Sequence, residues 1–193
     1  MPLVVDHDAV RHDILMALQE CIKEKPLTNI TLRDIAKAAG MPHSKLLYYF
    51  KDKKDLMKSY VLFTRDYMSE KCVEWFLDNS PEDFATKIDY INAFMEYVAT
   101  GKVGENRPNA TTQTYVLAHY DPEIAILVQQ EFWDWKDTME QCLKMVYGDS
   151  IGENEAEAMM ILISGTFICN YNRALTGNIN SNIMGYIGNL AKA

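Results

Sequence analysis

The chain has 193 residues, of which 48% are hydrophobic and 24% charged, and carries a formal net charge of −8. That length fits one large or two small domains with a proper core, and the composition is globular, which excludes a disordered or collagen-like chain. No apolar run is long enough to span a membrane, and no charged, then long apolar, segment opens the chain as a secretory signal.

The first predicted helix runs from about Asp8 to Glu24, with Val10, Ile14, Leu15, Leu18 and Ile22 inward. It is placed to brace the segment that follows. Thr31 stands three residues before Asp34, a capping box that opens a second helix. Its apolar residues are Leu32, Ile35, Ala36 and Ala39, one face of a helix. Gly40 can take a left-handed conformation and stop it, and Pro42 suits the first turn of a third helix. Leu46, Tyr49 and Phe50 then point inward, and His43, Ser44, Leu47, Tyr48 and Lys51 outward. Two short helices around a glycine turn read as a helix-turn-helix, whose second helix lies in the major groove of DNA.

Asp52 is expected to cap a long helix running to about Leu77. Ser80 and Pro81, as N-cap and first helical residue, are expected to open the next, which ends near Gly101. The stretch Gly101–Asn109 reads as a loop entering a short helix near Thr111–His119. Asp121 and Pro122 open a helix to about Tyr147, stopped by Gly148. Another is expected from about Glu153 to Leu175, stopped at Gly177, and a last one from about Asn180 to Ala191. The first of these final two is apolar nearly all round, and the second carries a stripe of Ile179, Ile183, Tyr186, Ile187 and Leu190. Such helices need cover on more than one side, as at an interface or within an intramolecular core.

Charge separates along the chain. From Lys25 to Ser59, eight lysines and arginines face three acids, a net of +5, whereas from Val61 onward nine face nineteen, a net of −10. A basic patch on an acidic protein is the footprint of phosphate binding. The four cysteines, Cys21, Cys72, Cys142 and Cys169, are far apart without a CxxC pattern, as expected for reduced core thiols in a cytoplasmic protein without a metal site. No nucleophile motif, HExxH or phosphate-cradling glycine loop is present, so neither catalysis nor a cofactor is expected.

The run ITLRDIAKAAGMPHSKLLYYFKDKKDLM resembles the DNA-binding domain of TetR-type bacterial transcriptional regulators, over about residues 8–60. The family usually has Ser or a similar residue at the position of Pro42, and Tyr at that of Leu47, with the aromatic doublet here falling at Tyr48 and Tyr49. Leu47 is therefore expected to meet a thymine methyl group. The resemblance matches Lys53 to a lysine that grips phosphate. The expected DNA-binding residues are Thr31, Arg33, Pro42, His43, Ser44, Lys45, Leu47, Tyr48, Lys51 and Lys53, on a pseudo-palindromic double-stranded operator.

The resemblance also implies an architecture. The chain is expected to be all-α, with a helix-turn-helix three-helix domain (1–52) joined by a long helix to a helical effector-binding and dimerisation domain (53–193). Its last two helices would form a homodimeric four-helix bundle. A small-molecule pocket would lie in the aromatic-rich segment between. The residues expected to line it are Phe94, Tyr97, Gln113, Tyr115, His119, Trp133, Phe167, Asn170 and Tyr171. The stretches TQTYVLAHYDPEIAILVQQEFWDW and ISGTFICNYNRAL loosely resemble the effector domain of the BetI-like branch, whose namesake senses choline; this implies a cationic ligand among aromatic faces. The expected function is a ligand-responsive regulator, a repressor released from its operator by a small molecule. The alternative is a helical protein-interaction module with a degenerate DNA-binding domain.

Overall fold

A computed structural model describes residues 6–99, 108–149, 152–172 and 174, and within them all side chains except those at 99, 108–111, 167, 170 and 171. The described residues form eight α-helices and two short 3-10 turns, with no strand among them. The helices are α1 (His7–Glu24), α2 (Leu32–Ala38), α3 (His43–Tyr49), α4 (Lys53–Asp78), α5 (Lys87–Ala99), α6 (Pro108–Tyr120), α7 (Pro122–Tyr147) and α8 (Glu153–Tyr171). The chain packs as two compact units: residues 1–66 with 109–128, and residues 67–108 with 129–193. Helices α4 and α7 each contribute to both.

In the first unit, α1, α2 and α3 pack on one another around Ile14, Leu18, Ile22, Ile35, Ala36, Leu46 and Phe50, all buried. Asp6 caps α1, its carboxylate accepting from the N–H groups of Asp8 and Ala9. The first turns of α4 join this core through Leu56, Met57, Tyr60 and Val61. His12 of α1 meets Phe63 edge-on with ring centroids 5.3 Å apart. This is why compact packing divides the chain within α4 and not at its first residue.

The second unit has an aromatic centre. Trp75 lies 5.1 Å from Tyr90 and 5.0 Å from Phe94 between ring centroids, and Phe76 lies 4.6 Å from Phe94. Cys72, Met139, Cys142, Leu143, Met159 and Ile163 close the cluster. Burying rings of this size dominates the stabilisation of a helical core.

Three boundaries differ from expectation. Ser80 and Pro81 open only one 3-10 turn, Pro81–Asp83, and the helix proper starts at Lys87. A second cap decides this: the Thr86 hydroxyl accepts from Asp89 N–H at 3.1 Å and donates to the Asp89 carboxylate at 2.7 Å. Helix α6 begins at Pro108, three residues before Thr111, since proline suits the first position of a helix. Helix α8 is assigned to Tyr171, short of Leu175. The helix expected over 180–191 and the stop at Gly177 lie outside the described residues, as does most of the Gly101–Asn109 loop.

Candidate nucleic-acid interface

The turn between α2 and α3 is set by backbone chemistry. Thr31 Oγ1 accepts from Asp34 N–H at 3.2 Å, and the Asp34 carboxylate accepts from Thr31 N–H at 2.8 Å, so two orphan donors at the start of α2 are satisfied. Lys25 adds an ion pair to Asp34 at 2.8 Å. The Lys25 ammonium, then the Thr31 hydroxyl and N–H, hold the Asp34 carboxyl well below the usual carboxylate range. At the other end, Gly40 has φ +63°. Met41 N–H bonds to Ala36 O at 2.9 Å and Gly40 N–H to Lys37 O at 3.1 Å, the paired bonds of a Schellman motif. Pro42 then serves as N-cap of α3, and Lys45 and Leu46 N–H groups bond to its carbonyl at 2.9 and 3.3 Å.

Helix α3 is sorted by its two faces. Leu46 and Tyr49 are buried, followed by buried Phe50. Ser44, Lys45, Leu47 and Tyr48 are exposed and His43 half-buried, with Tyr48 71% and Leu47 42% exposed. A large ring and an apolar chain held in water on one short helix are unusual for a mere core element, and they suit apolar contact with base edges. Tyr48 is backed by His7 (centroids 5.8 Å apart) and meets Tyr49 edge-on at 5.1 Å.

One residue that the sequence pattern did not single out fixes α3 in place. Arg11 of α1 donates to Tyr49 O at 2.5 Å and to Ser59 Oγ at 3.0 Å, and its guanidinium lies 4.2 Å from the Phe50 ring centroid. A cation on the last carbonyl of a helix also meets the negative end of its dipole. Nothing in the one-dimensional pattern marks Arg11, because its partners are 38 and 48 residues away.

The basic residues divide into two sets. Arg33, Lys37, Lys45 and Lys51 are exposed, and among the described residues none has an acidic partner within ion-pair distance. Lys54 pairs with Asp121 at 3.1 Å and Glu123 at 2.7 Å, and Lys58 also pairs with Glu123. The hydrogen bonds that Lys54 donates to the Glu123 and Asp121 carboxylates raise its pKa. Among the described residues Lys53 makes no acid pair; its ammonium donates to Leu27 O at 3.2 Å and Thr28 O at 3.1 Å, and partial burial lowers its pKa. Local charge counting therefore overstates the cations left for phosphate, since Asp121 and Glu123 arrive from far along the chain.

The residues expected to line a ligand site are spread over both units. In the first unit, the Gln113 side-chain oxygen accepts the N–H of Leu27, Tyr115 is half-buried and His119 exposed. In the second, Phe94 is fully buried in the aromatic cluster, Tyr97 packs at its edge, and Trp133 is 55% exposed. The side chains of Phe167, Asn170 and Tyr171 lie outside the described residues. The second unit also holds a feature the sequence did not reveal. Asn92 is 8% exposed, and among the described residues neither its amide nitrogen nor its oxygen has a hydrogen-bond partner. The buried hydroxyl of Tyr90 likewise has none among the described residues. Among the described residues no helix is long and apolar enough to cross a membrane.

Residues 14–60 match the model of the bacterial regulatory proteins, tetR family. The HTH-type transcriptional regulator PksA of Bacillus subtilis (strain 168) is 28% identical over 102 residues, 53% of this chain. The matched stretch spans about half (48%) of that relative's length. Among solved structures, GusR of Salmonella enterica superposes with a TM-score of 0.74 at 16% identity, covering 98% of this chain and 99% of that one. A TetR-family regulator from Agrobacterium tumefaciens gives 0.66 at 16% identity over 94% and 98%. A protein from Saccharomonospora viridis solved in complex with choline gives 0.73 at 17% identity over 96% and 96%. At these identities the superpositions show the fold. The segment that matches the tetR family model is the one whose capping box, glycine turn and outward-facing α3 are described above.

Proposed function

We propose that this protein is a homodimeric, ligand-responsive repressor, acting in the cytoplasm on a pseudo-palindromic operator. In this reading residues 1–52 carry the DNA contacts, and residues 53–193 carry the effector and dimer roles. The observation that carries it is the outward face of α3, where Ser44, Lys45, Leu47 and Tyr48 stand exposed over a buried inner face. Phosphate contacts from Thr31, Arg33, Lys51 and Lys53 would position that face, and His43, Ser44, Leu47 and Tyr48 would read base edges.

Two further observations support the second half of the reading. Ile161, Gly165 and Ile168 of α8 are exposed and fall on one stripe, as an association face requires; Ile161 is 62% and Ile168 43% exposed. Dimerisation would place two recognition helices on half-sites about one DNA turn, 34–36 Å, apart. A buried amide without partners costs about 1–3 kcal/mol, and an effector that supplies both a donor and an acceptor to Asn92 removes that cost. Release would then be a population shift, with effector favouring a conformation whose recognition helices do not match successive major grooves. Choline and related cations are the first effectors to try, given the choline-bound structure of similar fold and the aromatic content of this segment.

Fluorescence anisotropy on DNA from upstream of the protein's own gene, against scrambled DNA at two salt concentrations, tests the reading. Salt-sensitive, sequence-selective binding that a small molecule abolishes is the expected result. Absence of binding to any duplex at low salt would overturn it.

A further inference from the structure

The backbone of Leu27, in the turn between α1 and α2, is held at both its N–H and its carbonyl. Its N–H is donated to the side-chain oxygen of Gln113, from α6. Its carbonyl, with that of Thr28, accepts from the Lys53 ammonium at the start of α4. The orientation of the Gln113 amide is fixed chemically: a backbone N–H only donates, so the atom facing it must be the oxygen. The Leu27 side chain is 1% exposed, which pins the turn to the core, and all three residues belong to the same compact unit. An ammonium has three N–H donors. Two of those of Lys53 are spent on carbonyls, which aims the third.

We infer that Gln113 is a positioning residue for Lys53: through the backbone of Leu27, which both hold, it fixes the direction in which Lys53 presents its remaining donor to DNA phosphate. This rests on the DNA-binding reading above and adds to it a specific connection. Gln113 was expected from the sequence to line a ligand site; the structure occupies its oxygen with the backbone of the DNA-binding segment. Position along α6 is thereby coupled to a phosphate contact without any swing of α4. A shift of α6 by about 1 Å takes the oxygen beyond hydrogen-bonding distance and releases the turn that aims Lys53.

A double-mutant cycle on the full chain tests this, with Gln113→Met, Lys53→Met and the double variant. Met keeps the length of Gln and removes the acceptor. The probe is a random-sequence 30-base-pair duplex at low salt, since phosphate contacts need no operator. With Lys53 present, Gln113→Met is expected to weaken binding about fivefold, the scale of one hydrogen bond, and to flatten the salt dependence. In the Lys53→Met background it is expected to cost nothing further. Amide exchange at Leu27 is expected to accelerate in Gln113→Met and to stay slow in Gln113→Glu, which retains an acceptor. Equal losses in both Lys53 backgrounds, or unchanged Leu27 exchange in Gln113→Met, would overturn the inference. If Gln113→Met does not fold, Gln113→Asn, one methylene too short, runs the same cycle. A wild-type chain that binds no duplex at low salt brings down the functional reading as well; binding by wild type with additive variants brings down this inference alone.

Discussion

Arg11 reaches the final carbonyl of α3, its Nη1 donating to Tyr49 O at 2.5 Å. The same guanidinium bonds to Ser59 and stacks on Phe50, so one side chain ties α1, α3 and α4 together. Arg11→Met keeps the stem and loses both hydrogen bonds. Bonds from a charged donor are worth about 1.5–3 kcal/mol, so the urea midpoint is expected to fall accordingly with an unchanged slope. DNA affinity is expected to fall for all sequences alike. A variant as stable as wild type would show that the clamp contributes nothing.

Lys53→Ala is expected to weaken binding about equally on every duplex and to reduce the slope of log affinity against log salt by about 0.9, one phosphate contact. Titration of a random duplex at four salt concentrations gives the slope. An unchanged slope would remove Lys53 from the phosphate contacts.

Substitutions at His43, Ser44 or Tyr48 are expected to change sequence preference, not affinity alone. Tyr48 is 71% exposed and is held by ring contacts with His7 and Tyr49. Loss of a good base contact costs about 1–3 kcal/mol of discrimination. Selection from random DNA by each variant reads this directly; an identical consensus with lower affinity would make the altered residue a positioning contact.

Gly40 has φ +63° and nothing within 4 Å of where a Cβ would stand. Any penalty for Gly40→Ala is therefore one of backbone conformation and not of space. The expected loss is about 1–2 kcal/mol, measured by thermal or urea unfolding. A neutral substitution would show that the turn relaxes away from the left-handed region.

Burial pushes the Cys72 and Cys142 thiols up to about 12 from an ordinary value of 9.0. Well below pH 9 both states are almost fully protonated, and these thiols have little effect on stability. Between about pH 9 and 12 the unfolded chain releases protons that the native state retains, so stability is expected to fall as pH rises. At pH 8 both are expected to resist iodoacetamide until the chain is denatured. Rapid native-state labelling mapped to either residue would contradict their burial.

How much of this was legible in the sequence depends on how far each partner lies. The Thr31–Asp34 box, the Gly40 stop, the two faces of α3 and the Asp121–Pro122 start of α7 are local, and all are as the spacing predicts. Capping bonds close within four residues and helical faces repeat every three or four, so one dimension suffices to read them. The family resemblance followed from the same segment. The start of α5 was misread because two competing caps, Ser80 and Thr86, lie six residues apart and the sequence does not rank them.

Tertiary structure decided the rest. It clamped α3 with Arg11, drew Lys54 and Lys58 to acids more than sixty residues away, and gave the Gln113 oxygen to Leu27. It also buried the Asn92 amide without a partner among the described residues. Each of these is set by which distant groups share one small volume, and the energy of a charge or a polar atom depends on that company more than on its neighbours in the chain. The sequence by itself determined that a helix-turn-helix exists and which way its second helix faces; only the fold decided which side chains hold that helix there and which cations are paired with distant acids.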